Sequence, residues 1–365
     1  MLDVALKLLK ELTDNSYKAY IVGGFVRDYL LGIDSNDIDI TTDATPKQIK
    51  EIFKDSCLPN EEYGSVIVNK KGIKFEITTF RKEIEYIDNR KPVEIEYIKD
   101  LYTDLLRRDF TINTICMDCN GDIIDYLNGK DDLDNCIIRC VGDSYTKFKE
   151  DSLRILRAIR FATILDFNLS DDVVDAIKKN SKLVKNLSYY RKKMELDKIF
   201  SSPNRDQGIK MLLEFNLDDE LDIYNLSDVL GSTANSAIGI WSMLNMSEQY
   251  PFNKNELELI DNINKVIGCN NLDPMVLYKY GLYVNSCAGS IKGFDLKKIT
   301  ESYNSLVIKS RDEIDINSDY IMKLLNRESG KYLKDVYNDI EREILYRRLK
   351  NTKKDISKYI IDNYG

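Results

Sequence analysis

Two adjacent glycines, Gly23 and Gly24, constrain the fold of this chain more than any other feature. They follow a short apolar segment, 19–22, that predicts a buried strand, and they precede a helical pattern over 25–31 that ends at a further glycine. Glycine lets the backbone turn sharply between the two elements and approach a ligand closely. We therefore expect a strand, a tight turn and a helix, whose first N–H groups, with Arg27 one turn in, can bind the phosphates of a nucleotide.

An acidic pair, Asp37 and Asp39, follows this unit. Side chains two residues apart in a strand lie on the same face, so both carboxylates are expected to point the same way. Carboxylate oxygens suit hard cations such as Mg²⁺, and transfer of a nucleotide needs a cation that orients the attacking oxygen and neutralises the leaving pyrophosphate. An isolated Asp-x-Asp in an acidic protein is most often ordinary surface. Together with the glycine turn, it indicates metal-dependent nucleotide transfer.

The chain contains no histidine, and this excludes several kinds of site. A Ser-His-Asp or Cys-His mechanism, a His-ligated zinc ion and a His-Asp phosphohydrolase site all require that residue. Cysteines at 116, 119, 136 and 140 imitate a zinc-ribbon spacing, but Cys116 falls in the alternation of a predicted strand over 112–116, where a free thiol packs as a small apolar side chain. We therefore expect free thiols rather than zinc ligands.

The formal net charge of −8 argues mildly against a nucleic-acid partner, because phosphate binding depends on Lys and Arg. Two basic stretches, 178–193 and 347–354, can override that average locally, although each is equally compatible with a solvated helix face. No apolar run is long enough to span a bilayer, and the N-terminal residues lack the layout of a secretory signal. A cytoplasmic protein without membrane contact is expected.

The order of predicted elements divides the chain into a mixed first part and a helical remainder. The first part has predicted helices over 2–13, 25–31 and 46–54, strands over 19–22 and 37–41, a hairpin of 65–68 with 73–78, and a charged, mobile loop over 81–92. Helical periodicity then covers 147–165, 170–185, 189–200, 205–215, 227–245, 254–266, 295–307 and 333–348. We expect an α+β head with a mixed sheet over 1–143, a helical neck over 144–203, and a helical body and tail over 204–365 that would suit a long substrate such as tRNA.

Two further segments carry candidate site residues. In the motif Arg-Arg-Asp-Phe-Thr-Ile-Asn, two guanidiniums that include Arg108 precede a predicted strand and could clamp a triphosphate, although a charged helix end is the simpler interpretation. On the predicted helix 147–165, Asp151 and Arg154 are i and i+3 neighbours, and Arg157 and Arg160 continue the row. A carboxylate acceptor beside guanidinium donors matches the amine and the adjacent ring nitrogen that cytosine and adenine share. Uracil and guanine present the reverse pattern of donors and acceptors and would leave buried groups mismatched. A surface ion pair explains the same row equally well.

In their order along the chain, these segments resemble the class II tRNA nucleotidyltransferases, the CCA-adding enzymes, and their bacterial poly(A) polymerase relatives. The matching motifs are the Gly-Gly-x-x-Arg-Asp turn, the Asp-x-Asp pair, the Arg-Arg-Asp motif, an Asp…Gly…Asp-Leu segment at 125–133, the Glu-Asp-x-x-Arg segment at 150–154, a looser match at 191–196 and a closing segment at 340–352. The resemblance runs from about residue 18 to 356 and is weakest between 205 and 315. It implies a polymerase-β-like nucleotidyltransferase head, in the short bacterial form without an appended His-Asp domain.

The resemblance also implies roles for individual residues and for ligands. It assigns Mg²⁺ to the catalytic pair Asp37 and Asp39, with Glu76 as a supporting carboxylate. It implies CTP and ATP as donors and tRNA as acceptor. The residues implied to bind the triphosphate or to choose the base are Gly24, Arg27, Arg108, Asp151, Arg154, Arg157 and Arg160.

Other activities remain compatible with the sequence. Among activities of the family that the chain resembles, these are an A-adding enzyme, a CC-adding enzyme and a poly(A) polymerase. The full-length loop over 81–92 disfavours CC addition, and the C-terminal match favours addition to tRNA over polyadenylation. A non-catalytic RNA-binding protein and a nucleotidyltransferase for a small molecule are alternatives of other classes. The intact acidic pair opposes the former, because like charges side by side are costly without a function. The long helical extension opposes the latter.

Overall fold

The computed structural model describes residues 1–54, 57–58, 64–83, 86–87, 91–92, 95–234 and 236–365. The chain forms two compact units, Met1–Ser227 and Asp228–Gly365. The division into head, neck, body and tail stays a prediction. Across the described part of the chain, no helix combines the length and the apolar content that crossing a membrane would require.

The first unit combines one large mixed sheet with helices. Its helices are α1 (Leu2–Asp14), α2 (Gly24–Leu30), α3 (Pro46–Ile52), α4 (Leu101–Leu106), α5 (Gly129–Asp134), α6 (Ser144–Glu150), α7 (Leu153–Leu165), α8 (Asp171–Asn180), α9 (Tyr189–Phe200), α10 (Arg205–Glu214) and α11 (Leu217–Leu221). Its strands are β1 (Ala19–Val22), β2 (Asp39–Thr42), β3 (Cys57–Leu58), β4 (Ser65–Lys70), β5 (Ile73–Thr79), β6 (Arg81–Glu83), β7 (Tyr86–Ile87), β8 (Lys91–Pro92), β9 (Ile95–Tyr97), β10 (Cys116–Met117), β11 (Ile123–Ile124), β12 (Ile137–Ile138) and β13 (Asn168–Leu169).

The large sheet has the strand order β11-β10-β1-β2-β5-β4-β3 among the described strands. Strands β2 and β5 are parallel, and the other neighbours are antiparallel, so the predicted mixed sheet is confirmed. In this register Asp39 lies opposite Val22 of β1 on one side and opposite Glu76 of β5 on the other. The sheet therefore brings the acidic segment next to the glycine turn that follows β1.

Local sequence explains how the helices beside the sheet begin and pack. Helix α1 buries Ala5, Leu8, Leu9 and Leu12, which share one helix face. Helix α3 begins with a capping box, in which Thr45 and Gln48 satisfy each other's backbone N–H groups, and Pro46 takes the first helical position. Helix α7 is buried on nearly all sides, including at two of its arginines.

The second unit is helical, as predicted. Its helices are α12 (Ala237–Leu244), α13 (Lys254–Ile267), α14 (Pro274–Ile291), α15 (Leu296–Asn304), α16 (Ser318–Leu325), α17 (Tyr332–Leu345) and α18 (Lys353–Tyr364). A core that includes Ile321 of α16, Ile340 of α17 and Ile356 of α18 holds the last three together. Within α14, Gly281 has non-helical dihedrals (φ 73°, ψ 173°) and produces a kink.

Several predicted elements were wrong in detail. The helix over 147–165 is two helices, because Asp151 adopts extended dihedrals (φ −144°, ψ 104°) between α6 and α7. The strand over 112–116 is a 3₁₀ turn, Thr111–Asn113, followed by the two residues of β10. The helix over 227–245 begins at Ala237, where Ser236 caps it.

The predicted loop over 81–92 contains short strands instead of irregular backbone alone. Strand β6 pairs with β9, and β7 pairs with β8, both antiparallel. Residues 84–85 and 88–90 of this segment lie outside the described residues. The mobility expected of the segment stays a prediction.

Candidate active site

The glycine turn positions backbone and arginine side chains close together. Gly23 has φ 84° and ψ −135°, a conformation that side chains other than glycine's rarely allow. A Cβ atom at Gly23 would lie 3.5 Å from Nη1 of Arg108, and one at Gly24 would lie 3.8 Å from Nη2 of Arg27. The positive φ of Gly23 therefore requires glycine at the predicted sharp turn. Both Cβ distances are ordinary van der Waals contacts, so the close approach of this backbone to a ligand stays a prediction.

The acidic pair lies beside this turn, with both side chains exposed. Asp37 precedes β2, and Asp39 is the first residue of that strand. Side-chain exposure nevertheless alternates along 37–40, because Ile38 and Ile40 are buried between the exposed aspartates. Both carboxylates therefore leave the same side of the backbone. Although Asp39 is accessible to solvent, desolvation by the surrounding protein and the charge of Asp37 raise its pKa to about 6. Glu76 adds to this rise, and Arg108 opposes it. This repulsion is what a bound cation would relieve.

The donor set fits Mg²⁺, which needs only one or two protein carboxylates when water and substrate phosphates complete its shell. Over the described ranges, no group of three or more Asp, Glu, Cys or His side chains is placed to hold a metal ion. Glu76, on the neighbouring strand, thus influences Asp39 electrostatically without forming a three-carboxylate cluster. Asp37 and Asp39 are the residues that could hold the cation.

A chain of hydrogen bonds links the arginines of the site. Arg27 donates from Nη1 to Oδ1 of Asn113 at 2.8 Å, and it also donates to Asp28 at 2.6 Å. Asn113 donates in turn to Asp109 at 3.1 Å, and Arg157 donates from Nε to the other oxygen of Asp109 at 2.7 Å. The guanidiniums of Arg27 on α2 and Arg157 on α7 are thereby linked in one network through Asn113 of the 3₁₀ turn and Asp109.

Burial and charge act in opposite directions on Asp109. Burial alone would raise its pKa, but the guanidinium of Arg157 and the hydrogen bonds from Asn113, Arg157 and the Phe110 N–H outweigh burial and lower the pKa to about 2. The carboxylate is therefore ionised under all ordinary conditions. It accepts hydrogen bonds from Asn113, Arg157 and the Phe110 N–H, and so fixes the orientation of these donors.

Two more arginines approach the site, Arg108 from the segment that follows α4 and Arg160 from α7. Arg108 lies 3.6 Å from the fully buried Asp104, and burial followed by the charge of Arg107 lowers its pKa. Arg160 forms an ion pair of 2.7 Å with Glu195 of α9, and burial lowers its pKa to about 10 although Glu195 opposes the shift. An anion beside either guanidinium would favour its charged form.

These side chains line one cavity of about 350 Å³. Of the predicted site residues, the cavity lining contains Gly24, Arg27, Asp37, Asp39, Arg108, Arg157 and Arg160. A larger cavity of about 890 Å³ lies within the second unit, and its described lining contains none of the predicted residues. The smaller cavity is therefore the candidate active site.

Two predicted residues, Asp151 and Arg154, are absent from the described lining of this cavity. Asp151 accepts two hydrogen bonds from Nη2 of Arg191, at 3.1 and 3.0 Å, and one from the Leu153 N–H at 3.1 Å. Arg154 is buried and donates to Glu150 at 2.8 Å. The expectation that Asp151 and Arg154 lie on one helix is wrong, because Asp151 ends α6 with extended dihedrals and only Arg154 belongs to α7. Their role in base choice stays a prediction.

Other residues of the site were not singled out from the sequence. Phe25 and Phe161 line the cavity, and Glu195 balances Arg160. The charges of Arg160 and Asp37 act on Lys198 of α9, whose pKa is lowered chiefly by burial. A phenylalanine within an apolar helix and charges within a basic helix carry no local signal of a site, because only the tertiary packing brings them there.

The chain matches three family models: the poly A polymerase head domain over residues 19–139, the "Probable RNA and SrmB- binding site of polymerase A" over 166–221, and the tRNA nucleotidyltransferase domain 2 over 246–360. It is 34% identical to a CCA-adding enzyme of Staphylococcus haemolyticus, over 98% of this chain and 97% of the relative. The chain belongs to the CCA-adding enzyme family. It is thus a nucleotidyltransferase.

Further relatives extend this assignment. A CCA-adding enzyme of Bacillus subtilis is 33% identical over 98% of this chain and 97% of the relative. The crystal structure of the Bacillus stearothermophilus CCA-adding enzyme in complex with CTP is 27% identical, with a TM-score of 0.81, and covers 98% of this chain and 96% of that one. A Thermotoga maritima CCA-adding enzyme complexed with tRNA shares the fold, with a TM-score of 0.64 at 21% identity over 99% of this chain and 95% of that one. The nucleotidyltransferase head followed by helices is confirmed.

Proposed function

We propose that this member of the CCA-adding enzyme family adds C, C and A to the 3′ end of tRNA, using CTP and ATP without a template. The observation that carries the proposal is the cavity in which Asp37 and Asp39 face a set of arginines held by the glycine turn and α7. Relatives named CCA-adding enzymes and a 27% identical enzyme solved with CTP support the choice of reaction and donor. A cytoplasmic location fits this activity.

The arginines give the cavity its binding function. Arg27, Arg108 and the N–H groups that begin α2 offer donors to a triphosphate, and the buried pairs that orient these guanidiniums exist before the ligand arrives. Donors fixed in advance lose little conformational entropy on binding. We assign these residues to the incoming nucleotide, and Arg157 and Arg160 to the same nucleotide from α7.

The reaction joins two substrates and releases one product. The 3′-hydroxyl oxygen of tRNA forms a bond to the α-phosphorus, the bond from that phosphorus to the bridging oxygen breaks, and pyrophosphate leaves while the hydroxyl proton passes to solvent. Asp37 and Asp39 would hold Mg²⁺, which orients the attacking oxygen and neutralises charge on the leaving pyrophosphate. The arginines hold the triphosphate in line for the attack.

The alternatives differ in which product they predict. An A-adding enzyme would extend only a tRNA that ends in CC, a poly(A) polymerase would build long adenylate tails, and a non-catalytic RNA-binding protein would extend nothing. The match of residues 246–360 to a tRNA nucleotidyltransferase domain favours tRNA over polyadenylation.

One assay separates these possibilities. Purified protein and Mg²⁺ are mixed with tRNA transcripts that end at the discriminator base, at CC and at CCA, and each labelled nucleotide is added in turn. We expect addition of two C residues and one A to the first transcript, one A to the second, and nothing to the third. Absence of any extension of the first two transcripts contradicts the proposal.

Variants tie the activity to the cavity. Asp39→Ala should abolish transfer and leave tRNA binding largely intact, because it removes a carboxylate that would hold Mg²⁺ and changes no residue of the helical segment 204–365 that is predicted to bind tRNA. Asp34→Ala is the matched control, since Asp34 is an exposed aspartate of the same segment that does not line the cavity. An Asp39→Ala protein that retains turnover overturns the assignment of the acidic pair.

A further inference from the structure

Phe161 of α7 lies at the centre of the arginines that line the candidate active site. The carbon at the centre of the Arg160 guanidinium is 4.1 Å from the centroid of the Phe161 ring, that of Arg27 is 5.1 Å away, and that of Arg157 is 5.3 Å away. The ring itself is 7% exposed and lines the cavity. Three cations from two helices therefore share one aromatic ring.

Each of these guanidiniums also has a carboxylate partner. The three ion pairs are Arg27 with Asp28 at 2.6 Å, Arg157 with Asp109 at 2.5 Å, and Arg160 with Glu195 at 2.7 Å. A carboxylate fixes one edge of a guanidinium by accepting its N–H donors. Arg27 and Arg157 donate hydrogen bonds to their carboxylates, whereas Nε of Arg160 and Oε2 of Glu195 form an ion pair without a hydrogen bond. Arg27 and Arg157 are thus restrained by a hydrogen-bonded acid and by the ring, and Arg160 by the ring and by the charge of Glu195.

The two restraints have different consequences for ligand binding. A carboxylate uses N–H donors of the guanidinium, whereas an aromatic ring attracts the cation through its quadrupole and uses none. Contact with Phe161 can therefore orient the guanidiniums while their remaining donors stay available to phosphate oxygens. The ring also offsets the mutual repulsion of three neighbouring cations.

We propose that Phe161 is a positioning residue, whose ring orients Arg27, Arg157 and Arg160 toward the nucleotide. The inference rests on the proposed function, because the ligand of these arginines is taken to be CTP or ATP. A residue that served only as core packing would need apolar volume at this position and no aromatic ring. Phe161 does pack edge-to-face on Phe110, at 5.7 Å between centroids, so both possibilities make testable claims.

The test compares variants that keep apolar volume with one that keeps the ring. Phe161→Leu and Phe161→Met remove the ring, and Phe161→Tyr retains it. Phe148→Leu is the matched control, since Phe148 is a fully buried phenylalanine of α6 that does not line the cavity. Equilibrium binding of CTP and of ATP with Mg²⁺ is measured by calorimetry on the full chain, together with the unfolding midpoint and with kcat and KM for addition to tRNA.

We expect Phe161→Leu and Phe161→Met to bind both nucleotides about tenfold to a hundredfold more weakly, on the scale of several lost cation–ring contacts. Phe161→Tyr should bind within about threefold of the wild type, and Phe148→Leu should lower the unfolding midpoint without changing affinity. Wild-type affinity in both ring-less variants overturns the inference, as does an equal loss of affinity in Phe148→Leu. A wild-type chain that binds neither nucleotide overturns the proposed function itself and is recognised before any variant is compared.

Discussion

The ionised carboxylate of Asp109, paired with Arg157, stabilises the folded chain by an amount that follows from its pKa. Asp109 has a pKa of about 2, compared with 3.8 for an ordinary aspartate. Each pKa unit corresponds to about 1.4 kcal/mol of differential interaction between the two protonation states. The ionised carboxylate therefore contributes about 2 kcal/mol to the free energy of unfolding at neutral pH.

The pH dependence of this stabilisation follows from the direction in which folding changes the pKa of Asp109. Because the pKa of Asp109 is lower in the folded than in the unfolded chain, the contribution is complete above the unfolded value and is lost as pH falls from about 4 to about 2. Asp109→Asn keeps the shape of the side chain and removes its charge. The variant should lose about 2 kcal/mol, and the loss should stay constant between about pH 5 and pH 8.

Urea unfolding at several pH values between about 5 and 8 tests this prediction, with far-UV circular dichroism as the probe. The single tryptophan, Trp241, lies in the second unit, so its fluorescence recorded in parallel separates that unit's transition from that of the unit containing Asp109. Arg157→Met and the double variant complete a mutant cycle, whose coupling energy should lie in the range of about 0.5–3 kcal/mol that is usual for residues in contact. A loss that shrinks between pH 7 and pH 5, or a coupling energy below about 0.5 kcal/mol, refutes the reasoning.

Three further changes have outcomes that separate structural from functional effects. Gly129→Ala should lower the free energy of unfolding by about 1–3 kcal/mol and raise the KM for nucleotides. The added Cβ would lie 2.3 Å from the carbonyl oxygen of Thr111 and displace the turn that holds the arginine network. Thermal unfolding and initial rates measure the two effects. Iodoacetamide at about pH 8 should label the exposed Cys136 and spare Cys116, because burial raises the pKa of the Cys116 thiol to about 12. If mass spectrometry finds both cysteines labelled in the folded protein, the burial of Cys116 is contradicted. Asp151→Ala should reduce the preference for CTP and ATP over UTP, measured as kcat/KM, whereas an equal loss for all nucleotides would assign Asp151 a structural role.

Sequence patterns predicted the part of the site that is contiguous in the chain. Strand β1, the glycine turn and α2 lie within one residue of the predicted bounds, because apolar alternation and glycine act locally. The side-by-side exposure of Asp37 and Asp39 was also correct, although β2 begins two residues later than expected. Local rules sufficed wherever the determining residues were sequence neighbours.

The same rules failed where distant contacts decide the backbone. Helical periodicity continues through residue 151, yet the chain breaks there and Asp151 accepts hydrogen bonds from Arg191 of another helix. The predicted alternation over 112–116 is replaced by a 3₁₀ turn, and Gly129 of α5 lies so close to the carbonyl of Thr111 that a Cβ atom would not fit. Neither contact leaves a trace in the periodicity of its own segment.

The charges of the cavity explain how an acidic chain can bind a polyanion. Among the described residues that line it, arginines and aspartates are equal in number, four of each, so the lining carries no excess positive charge. Asp28 and Asp109 form ion pairs with arginines, whereas desolvation and then the charge of Asp37 raise the pKa of Asp39. On the proposed function, a triphosphate would be attracted to this cavity by oriented N–H donors and by the cation that the acidic pair would hold, and not by surplus charge. For this reason the net charge of −8 does not oppose nucleotide binding, and the affinity depends on how rigidly the folded chain orients its arginines.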